Sequence, residues 1–421
     1  MTSFAVFAVR VAVALLFLAP AQVRAEPLAA WVQMTAAGAE VRVVTAAEAC
    51  RSLVVDGAAR PTSERASPDP AFPDRVCAAP LRRGDRVVIA DGVTLRAPVG
   101  RPSRLVILGD SGCRMKGDVY QDCNDAKAWP FPRIAALAAA RRPDLVIHLG
   151  DYYYREKACP AWAAADCAGS PYGDRWETWR TELFGPAAPL LRAAPWVFAR
   201  GNHELCNRGA GGWFRMLDAG AAPAACWTPA ATFSVDLGGP VLWVVDSSDT
   251  DDFLAPTAKA AAFAAAVKPV LRARGGAPAW IVTHRPVWNP SRLGDLVGDG
   301  LVNATERQAL KGRDLSGVDL ILSGHVHNFA SVRFTGARPS QLVVGTGGDT
   351  LDLQHVPPPT AGSAAIDGMP ADIFTMGRFG YFVFDRRGAD WLGRFYDLDD
   401  HLAATCALRR RALICKAATV R

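Results

Sequence analysis

The sequence predicts an α/β fold that is preceded by a small β-rich module. Between Leu105 and Tyr396, short apolar segments alternate with segments of helical character, and this alternation is typical of α/β folds. Five of the apolar segments end in polar side chains that are able to bind metal ions. Because α/β folds have their binding sites at the carboxyl ends of parallel strands, we expect the functional site at these five strand ends.

The first 25 residues are typical of a secretory signal peptide. Val11–Ala19 is an apolar segment of suitable length, Pro20 ends it, and small residues precede a cleavage point before Glu26. The alternative is an uncleaved membrane anchor, although the apolar stretch is short for a span. We therefore expect a secreted or periplasmic protein that has no membrane span once the signal has been removed.

Ten cysteines support export, because disulfides persist in oxidising compartments. None has the CxxC spacing of a metal site, so we expect structural disulfides, and the sequence leaves their connectivity open. The cysteines occur as neighbours along the chain: Cys50 with Cys77, Cys113 with Cys123, Cys159 with Cys167, Cys206 with Cys226, and Cys406 with Cys415.

Residues 26–99 are predicted to form a small β-sandwich-like module. The segment contains no histidine, which makes it a poor candidate for chemistry, and Ala97–Pro102 is typical of a linker. Clusters of Pro, Gly and Asp separate its three β-rich segments, which are Val41–Val44, Ser52–Val55 and Arg86–Ala90.

The main domain is expected over residues 103–400, followed by a disulfide-tied tail over residues 401–421. Gly238 and Gly239 between two strands indicate a hairpin. The predicted helices are Arg133–Arg142, Arg175–Leu183 and Pro256–Arg274. The predicted strands are Leu105–Leu108, Leu145–Leu149, Trp196–Ala199, Thr232–Leu237, Val241–Asp246, Trp280–Thr283, Leu320–Ser323, Leu342–Val344, Tyr381–Phe384 and Trp391–Tyr396.

The polar residues at the strand ends are stronger evidence together than singly. A lone Gly-Asp is usually a turn, and a lone histidine at a strand end usually makes structural hydrogen bonds. In Gly324–His327, however, alternate residues of an extended segment can converge on one site. Four of the seven histidines occur at these strand ends, so the ordered set is a strong joint signal for one functional site: Asp110, Asp151, Asn202, His203, His284, His325 and His327.

These motifs resemble those of the calcineurin-like metallophosphoesterases. They are Asp110–Gly112, Gly150–Tyr154, Gly201–Glu204, Val282–His284 and Gly324–His327. Within that superfamily they are similar to the purple acid phosphatases, whose second motif has a tyrosine three residues after the aspartate. The resemblance covers Leu105 to Tyr396 and implies a four-layer αββα sandwich. It also implies two metal sites that share Asp151: one formed by Asp110, Asp151, Tyr154 and His327, the other by Asp151, Asn202, His284 and His325.

The donor types indicate which two metal ions the site would hold. Many relatives have a histidine two residues after the first aspartate, whereas this chain has Gly112, and Tyr154 would take the vacant position. Two carboxylates and a phenolate suit Fe(III), while an amide and imidazoles suit a divalent partner such as Zn, Fe or Mn. With a bridging hydroxide, a ferric–divalent pair keeps a positive charge for phosphate, whereas two divalent ions do not.

The resemblance implies a metal-dependent phosphoric ester hydrolase of the acid phosphatase type, in which a metal-bound hydroxide attacks a phosphate monoester. His203 would bind a phosphate oxygen or protonate the leaving group, and its structural alternative is a hydrogen bond to the Asp110 loop. Plant-type members have further histidines where this chain has Leu293 and Gly294. Arg285 is a nearby polar group there, and an arginine binds phosphate but is a poor proton donor.

Two other functions are compatible with these residues. A phosphodiesterase or nucleotidase would use the same site, and a metal-free phosphatase-like binding protein would keep only the fold. The net charge of +6 comes without a Lys/Arg block, so there is no nucleic-acid-binding signal. The resemblance implies a phosphorylated small-molecule substrate. The acidic segment Asp246–Asp252 is interpreted as a solvated turn that caps the following helix. The oligomeric state stays open.

Overall fold

The computed structural model describes residues 28–221, 226, 229–273, 276–293, 296–299, 303–352 and 359–418. For residues 291–293 and 296–299 only the backbone is described. The predicted signal peptide lies outside the described residues.

In the described chain, eleven strands form the first sheet, whose centre consists of three parallel strands. These central strands are buried on both faces, which explains why their sequences are apolar except for Arg104 and His148 at strand ends. In order across the sheet the strands are Ala412–Ala417, Leu402–Arg409, Asp390–Asp397, Gly380–Arg387, Arg104–Leu108, Leu145–His148, Trp196–Phe198, Ala29–Thr35, Gly38–Thr45, Arg75–Pro80 and Ser63–Ala66.

The N-terminal segment shares the first sheet with the main domain. Ala29–Thr35 pairs in parallel with Trp196–Phe198, so Ala97–Pro102 does not separate one sheet from another. A small sandwich is nevertheless present, because apolar side chains such as Val41 and Val88 pack between this part of the first sheet and a separate sheet. That sheet consists, in order, of Ala58–Arg60, Leu53–Val55, Val87–Ala90 and Val93–Arg96.

The second large sheet has eight strands within the described residues. The hairpin predicted around Gly238 and Gly239 forms its edge, and the second strand of this hairpin is parallel to the next three strands. In order the strands are Phe233–Asp236, Val241–Val244, Ala279–Val282, Val318–Ser323, Ser340–Val344, Phe329–Phe334, Met369–Met376 and Thr360–Ile366. Two further antiparallel strand pairs form small sheets of their own: Met115–Lys116 with Val119–Tyr120, and Pro290–Leu293 with Leu296–Asp299.

The two large sheets pack face to face through a core that includes Ile107, Ile147 and Leu322. Helices cover the outer face of the first sheet at Phe131–Ala140, Ala164–Cys167, Trp176–Trp179, Ala188–Ala193 and Ala210–Gly212. Short 3₁₀ or π turns adjoin them at Ala161–Ala163, Arg180–Phe184 and Trp213–Leu217, and a further 3₁₀ turn is Asn202–Glu204. The helices Thr257–Arg272 and Ala304–Leu310 cover the second sheet. This layering, as far as the chain is described, confirms the predicted four-layer αββα sandwich.

The helix Thr257–Arg272 illustrates how the sequence determines the outer layer. It begins directly after Pro256 and is rich in alanine, the residue with the highest helix propensity. Its buried side chains follow the three- and four-residue spacing of one helix face and pack against the second sheet: Ala260, Phe263, Val267 and Val270.

Five disulfides join the described cysteines, and each pair consists of neighbours along the chain. The expected structural disulfides are therefore confirmed. The C-terminal segment forms the two edge strands Leu402–Arg409 and Ala412–Ala417, which Cys406–Cys415 joins directly opposite each other. Among the helices of the described chain, none is long and apolar enough to cross a membrane.

Candidate metal centre

The predicted site residues follow the carboxyl ends of strands from both large sheets. Because the sheets pack face to face, these ends meet at one side of the sandwich. Asp110, Asp151 and Asn202 follow the three central strands of the first sheet, whereas His284, His325 and His327 follow two strands of the second. The structure thus brings together Asp110 and His325, which are 215 positions apart in the sequence.

Three of these residues have a strained backbone. Asp110 and Asp151 both have φ of 57°, and His325 has φ of 68°. Non-glycine residues rarely adopt this left-handed conformation, which costs of order 1–3 kcal/mol and persists where the surroundings hold it in place. Hydrogen bonds hold it here, because the backbone N–H of His325 donates to both carboxylate oxygens of Asp110 at 3.0 Å.

Asp151 lies at the centre of the site, and its side chain is buried. Its Oδ2 accepts a hydrogen bond from Tyr154 Oη at 2.9 Å and lies 3.1 Å from His284 Nε2. Its Oδ1 accepts the backbone N–H of His203 at 2.9 Å. One carboxylate therefore touches members of both predicted ligand sets.

The first set converges around the phenol of Tyr154. Tyr154 Oη lies 3.0 Å from His327 Nε2 and 3.4 Å from Asp110 Oδ1. His327 Nε2 is in turn 3.5 Å from Asp110 Oδ1. Polar atoms from four residues, including Asp151, thus face one another within a few ångströms.

The second set converges around His284. His284 Nε2 lies 3.1 Å from Asn202 Oδ1, and ligand-type atoms of Asp151, His284 and His325 lie within 4.8 Å of one another. Among the described residues these three form a group that could hold a metal ion. The structure therefore brings all seven predicted metal ligands to one site.

The outward-facing nitrogens of the histidines have partners of their own. His284 Nδ1 donates to the backbone carbonyl of Leu149 at 2.8 Å, which leaves Nε2 facing Asp151. His327 Nδ1 donates to the carbonyl of Thr350 at 2.7 Å, which leaves Nε2 facing Tyr154. Hydrogen bonds of this kind fix the ring orientation of metal-binding histidines.

The charges indicate that this donor set suits a cation. Burial raises the pKa of Tyr154, and the nearby Asp151, Asp349 and Asp110 carboxylates raise it further, so the phenol stays protonated in the protein alone. Burial also raises the pKa of Asp110. A metal ion would compensate the charge of ionised oxygens in so buried a position. Two carboxylates, a phenol, an amide and three imidazoles therefore fit a pair of metal ions.

Gly112 and Tyr154 depend on each other sterically. A Cβ atom at position 112 would lie 2.7 Å from Tyr154 Cδ2 and 2.7 Å from the backbone carbonyl oxygen of Tyr152. Both distances are shorter than real Cβ contacts. A histidine at position 112 and the observed Tyr154 therefore exclude each other, as expected if the tyrosine replaces that ligand.

His203 lies beside the site rather than in either ligand set. Its ring packs on Tyr154 with centroids 3.7 Å apart, and its Nε2 is 3.8 Å from Asp151 Oδ2. Its Nδ1 is 2.7 Å from a Glu156 carboxylate oxygen. Burial lowers the pKa of His203 to about 4, while Asp151 and Glu156 act in the opposite direction. None of the hydrogen bonds described for its ring goes to the Asp110 loop.

Three carboxylates that support the site were not singled out from the sequence. Glu204 belongs to the Gly201–Glu204 motif and accepts four backbone N–H bonds, including those of Asp151 and Gly201. Glu156 contacts His203, and its position two residues after Tyr154 is a signal that could have been noticed. The third carboxylate, Asp252, contacts His325.

The interpretation of Asp246–Asp252 as a solvated turn is wrong for Asp252, whose side chain is mostly buried. Asp251 does form such a turn, since its Oδ1 accepts the backbone N–H groups of Phe253 and Leu254 at 2.9 Å. The side chain of Asp252 is only 18% exposed and lies 2.9 Å from His325 Nε2. Nothing in the local sequence distinguishes these two adjacent aspartates.

Comparison with known proteins gives the class to which this site belongs. The family described as "Calcineurin-like phosphoesterase" matches residues 103–329, more than half of the chain. The protein therefore belongs to the calcineurin-like phosphoesterases, as the strand-end motifs predicted.

Two solved structures have a similar fold. One is the purple acid phosphatase PPD1 from yellow lupin (Lupinus luteus) seeds, with 15% identity, a TM-score of 0.57, and coverage of 93% of this chain and 74% of that one. The other is the structure of PhoD, with 12% identity, a TM-score of 0.56, and coverage of 94% and 93%. At these identities the likeness shows the fold alone. No curated protein matches the chain.

Proposed function

We propose that the protein is an exported phosphohydrolase that uses two metal ions to cleave a phosphate monoester. The observation that carries this proposal is the convergence of seven potential ligands from both sheets, with Asp151 at their centre. Asp110, Tyr154 and His327 would hold one ion with Asp151. Asn202, His284 and His325 would hold the other with the same carboxylate. The five disulfides support export, since such bonds persist in oxidising compartments.

The bound ions would lower the pKa of a water molecule so that hydroxide is available to attack phosphorus, and they would supply positive charge for the phosphate oxygens. The protein's own residues would orient these components. Glu204 fixes the Asp151 loop through backbone hydrogen bonds of 2.8–3.1 Å to Asp151, Tyr152 and Tyr153. The hydrogen bonds of His284 and His327 to carbonyl oxygens hold their other ring nitrogens towards the site.

His203 is the proposed group for binding a phosphate oxygen or protonating the leaving oxygen. Its Nε2 lies on the side of the ring that faces Asp151, and its Nδ1 contacts Glu156. A carboxylate at Nδ1 favours the protonated ring, which is the form that can donate from Nε2. Glu156 would therefore assist His203 when a phosphate anion approaches.

Tyr154 supports an iron-containing site of the purple acid phosphatase type. A phenol that is buried among carboxylates ionises only when a strongly charged ion binds to it, and Fe(III) is the ion best suited to phenolate. The partner ion would be divalent: Zn, Fe or Mn. Tyrosinate bound to Fe(III) should give a visible charge-transfer band.

The test of function combines metal analysis with hydrolysis assays on the purified protein. We expect two metal ions per chain and faster hydrolysis of p-nitrophenyl phosphate than of bis(p-nitrophenyl) phosphate. His284→Gln should lose metal and activity, whereas His401→Gln, at an exposed histidine outside the site, serves as the matched control. Preference for the bis-ester would favour the phosphodiesterase alternative. Protein that holds no metal and hydrolyses neither ester would favour the binding-protein alternative.

The iron assignment has its own test. The visible band should be absent from Tyr154→Phe and present in Tyr153→Phe, which removes the hydroxyl of a neighbouring buried tyrosine. A colourless wild-type enzyme that is active with two zinc or two manganese ions would contradict the iron assignment and leave the phosphoesterase proposal intact.

A further inference from the structure

We propose that Asp252 is a positioning residue that selects the metal-binding tautomer of His325. The inference rests on the proposed function, because it concerns the second ligand set of the same site. It depends on a contact that no strand-end motif contains, between residues 73 positions apart in the sequence.

The contact involves three side chains that are mostly buried. His325 Nε2 lies 2.9 Å from Asp252 Oδ2 and 2.9 Å from Arg285 Nη1. Arg285 Nη1 also hydrogen-bonds Asp252 Oδ2. The exposed fractions of the side chains are 17% for His325, 18% for Asp252 and 11% for Arg285. The ring nitrogen that is left for a metal ion is therefore Nδ1.

The two neighbours of Nε2 favour opposite tautomers. A carboxylate only accepts hydrogen bonds, so Asp252 favours the proton on Nε2 and leaves a lone pair on Nδ1. A guanidinium only donates, so Arg285 favours a lone pair on Nε2 and the proton on Nδ1. The second arrangement blocks Nδ1 as a ligand. Only the arrangement that Asp252 favours allows His325 to bind a metal ion.

Asp252 resolves this competition by accepting from both neighbours. Its Oδ2 accepts a hydrogen bond from the Nε2–H of His325 and pairs with Arg285, so Arg285 Nη1 has an acceptor other than the ring lone pair. The Arg285–Asp252 bond joins two ionised groups, and it is therefore stronger than a bond from the guanidinium to a neutral ring nitrogen. Removing the carboxylate would leave Arg285 as the remaining partner of Nε2.

The tautomer can be measured directly in the metal-free wild-type protein. With only seven histidines in the chain, ¹⁵N-histidine labelling gives few imidazole signals, and His325→Gln identifies the one that belongs to His325. We expect the proton on Nε2 in the wild type and on Nδ1 in Asp252→Ala. A wild-type ring protonated on Nδ1 would overturn the proposal without any substitution of Asp252.

Metal binding provides the second readout. Zn²⁺ titration of the metal-free protein should show that Asp252→Ala weakens one of two sites by about 10–100-fold, the usual effect of losing a partner of a metal-binding histidine. Asp249→Ala is the matched control, because Asp249 is in the same acidic segment but pairs with Lys259. Asp252→Ala combined with Arg285→Met should recover part of the lost affinity, since the competing donor is then gone.

This recovery separates tautomer selection from a merely structural role. If Asp252 only supported the loop, removing Arg285 as well would leave the affinity low, and that result would overturn the proposal. Unchanged Zn²⁺ affinity in Asp252→Ala would overturn it too, while the proposed function would stand. Wild-type protein that binds no Zn²⁺ would overturn both together.

Discussion

Glu306 provides a test of how burial changes the pKa of a carboxyl group near Arg285 and Asp252. Its side chain is fully buried near the start of the helix Ala304–Leu310. Its Oε1 accepts a bond of 3.3 Å from Thr250 Oγ1, and its Oε2 has no hydrogen-bond partner among the described residues. Burial raises the pKa of this carboxyl to about 8, against the lowering effects of Asn303 and Arg285.

The raised pKa makes stability fall as the pH rises. Between its ordinary pKa of about 4.5 and the folded-state value of about 8, Glu306 is protonated in the folded state and ionised in the unfolded state. The unfolded state therefore binds fewer protons, and the free energy of unfolding decreases by about 1.4 kcal/mol per pH unit across this window. Above the folded-state pKa the loss is complete.

Glu306→Gln removes this proton linkage while keeping the side-chain size. Relative to the wild type, the variant should gain about 4 kcal/mol of stability between about pH 5 and about pH 8.5. Urea unfolding of both proteins at the two pH values measures this gain, and Glu177→Gln, at an exposed first-turn glutamate, controls for the loss of a helix-start charge. A stability difference that is independent of pH, or that grows towards low pH, would refute the reasoning.

Three further predictions follow from the packing around the site and at the sheet edge. Gly112→Ala should lower the free energy of unfolding by about 1–3 kcal/mol through overpacking, and it should lower the metal content because the new methyl group displaces Tyr154. Thermal melting and metal analysis measure the two effects. Replacing Cys406 and Cys415 together by serine should lower the free energy of unfolding by roughly 2–3 kcal/mol, because the disulfide closes a loop of nine residues. Urea unfolding without reductant measures this loss. Metal removal by a chelator should lower the melting temperature. The free energy of unfolding should fall by about 4 kcal/mol if the free metal concentration had been a thousand times its Kd. An unchanged melting temperature would contradict a metal site that joins two sheets.

The strand ends could be predicted from the sequence because two local signals coincide there. Each central strand is a short apolar run that needs no distant information to be recognised, and Gly109 and Gly150 mark where two of these runs stop. The resemblance then supplied the layer order. The parallel pairing of Ala29–Thr35 with Trp196–Phe198 could not be predicted, because nothing in either segment specifies a partner more than 150 residues away.

The candidate site shows the same division between local and distant information. Its proposed ligands lie in short motifs, so the sequence predicts them as a set, and the tyrosine spacing favours Tyr154 among three adjacent tyrosines. Asp252 was missed because its role depends on the orientation of one aspartate in an acidic run. Its neighbour Asp251 has the same residue type and forms only a turn, and three-dimensional packing alone distinguishes the two.

The strained backbone explains why the site needs both sheets. Asp110 and Asp151 turn left-handed as they leave the first sheet, and His325 does so as it leaves the second. The hydrogen bonds from His325 to Asp110 connect one strained residue to another across the sheet interface. Each sheet alone would lose the partner that holds its strained end in place. Correct packing of the apolar core between the sheets is therefore a condition for bringing the proposed ligands together.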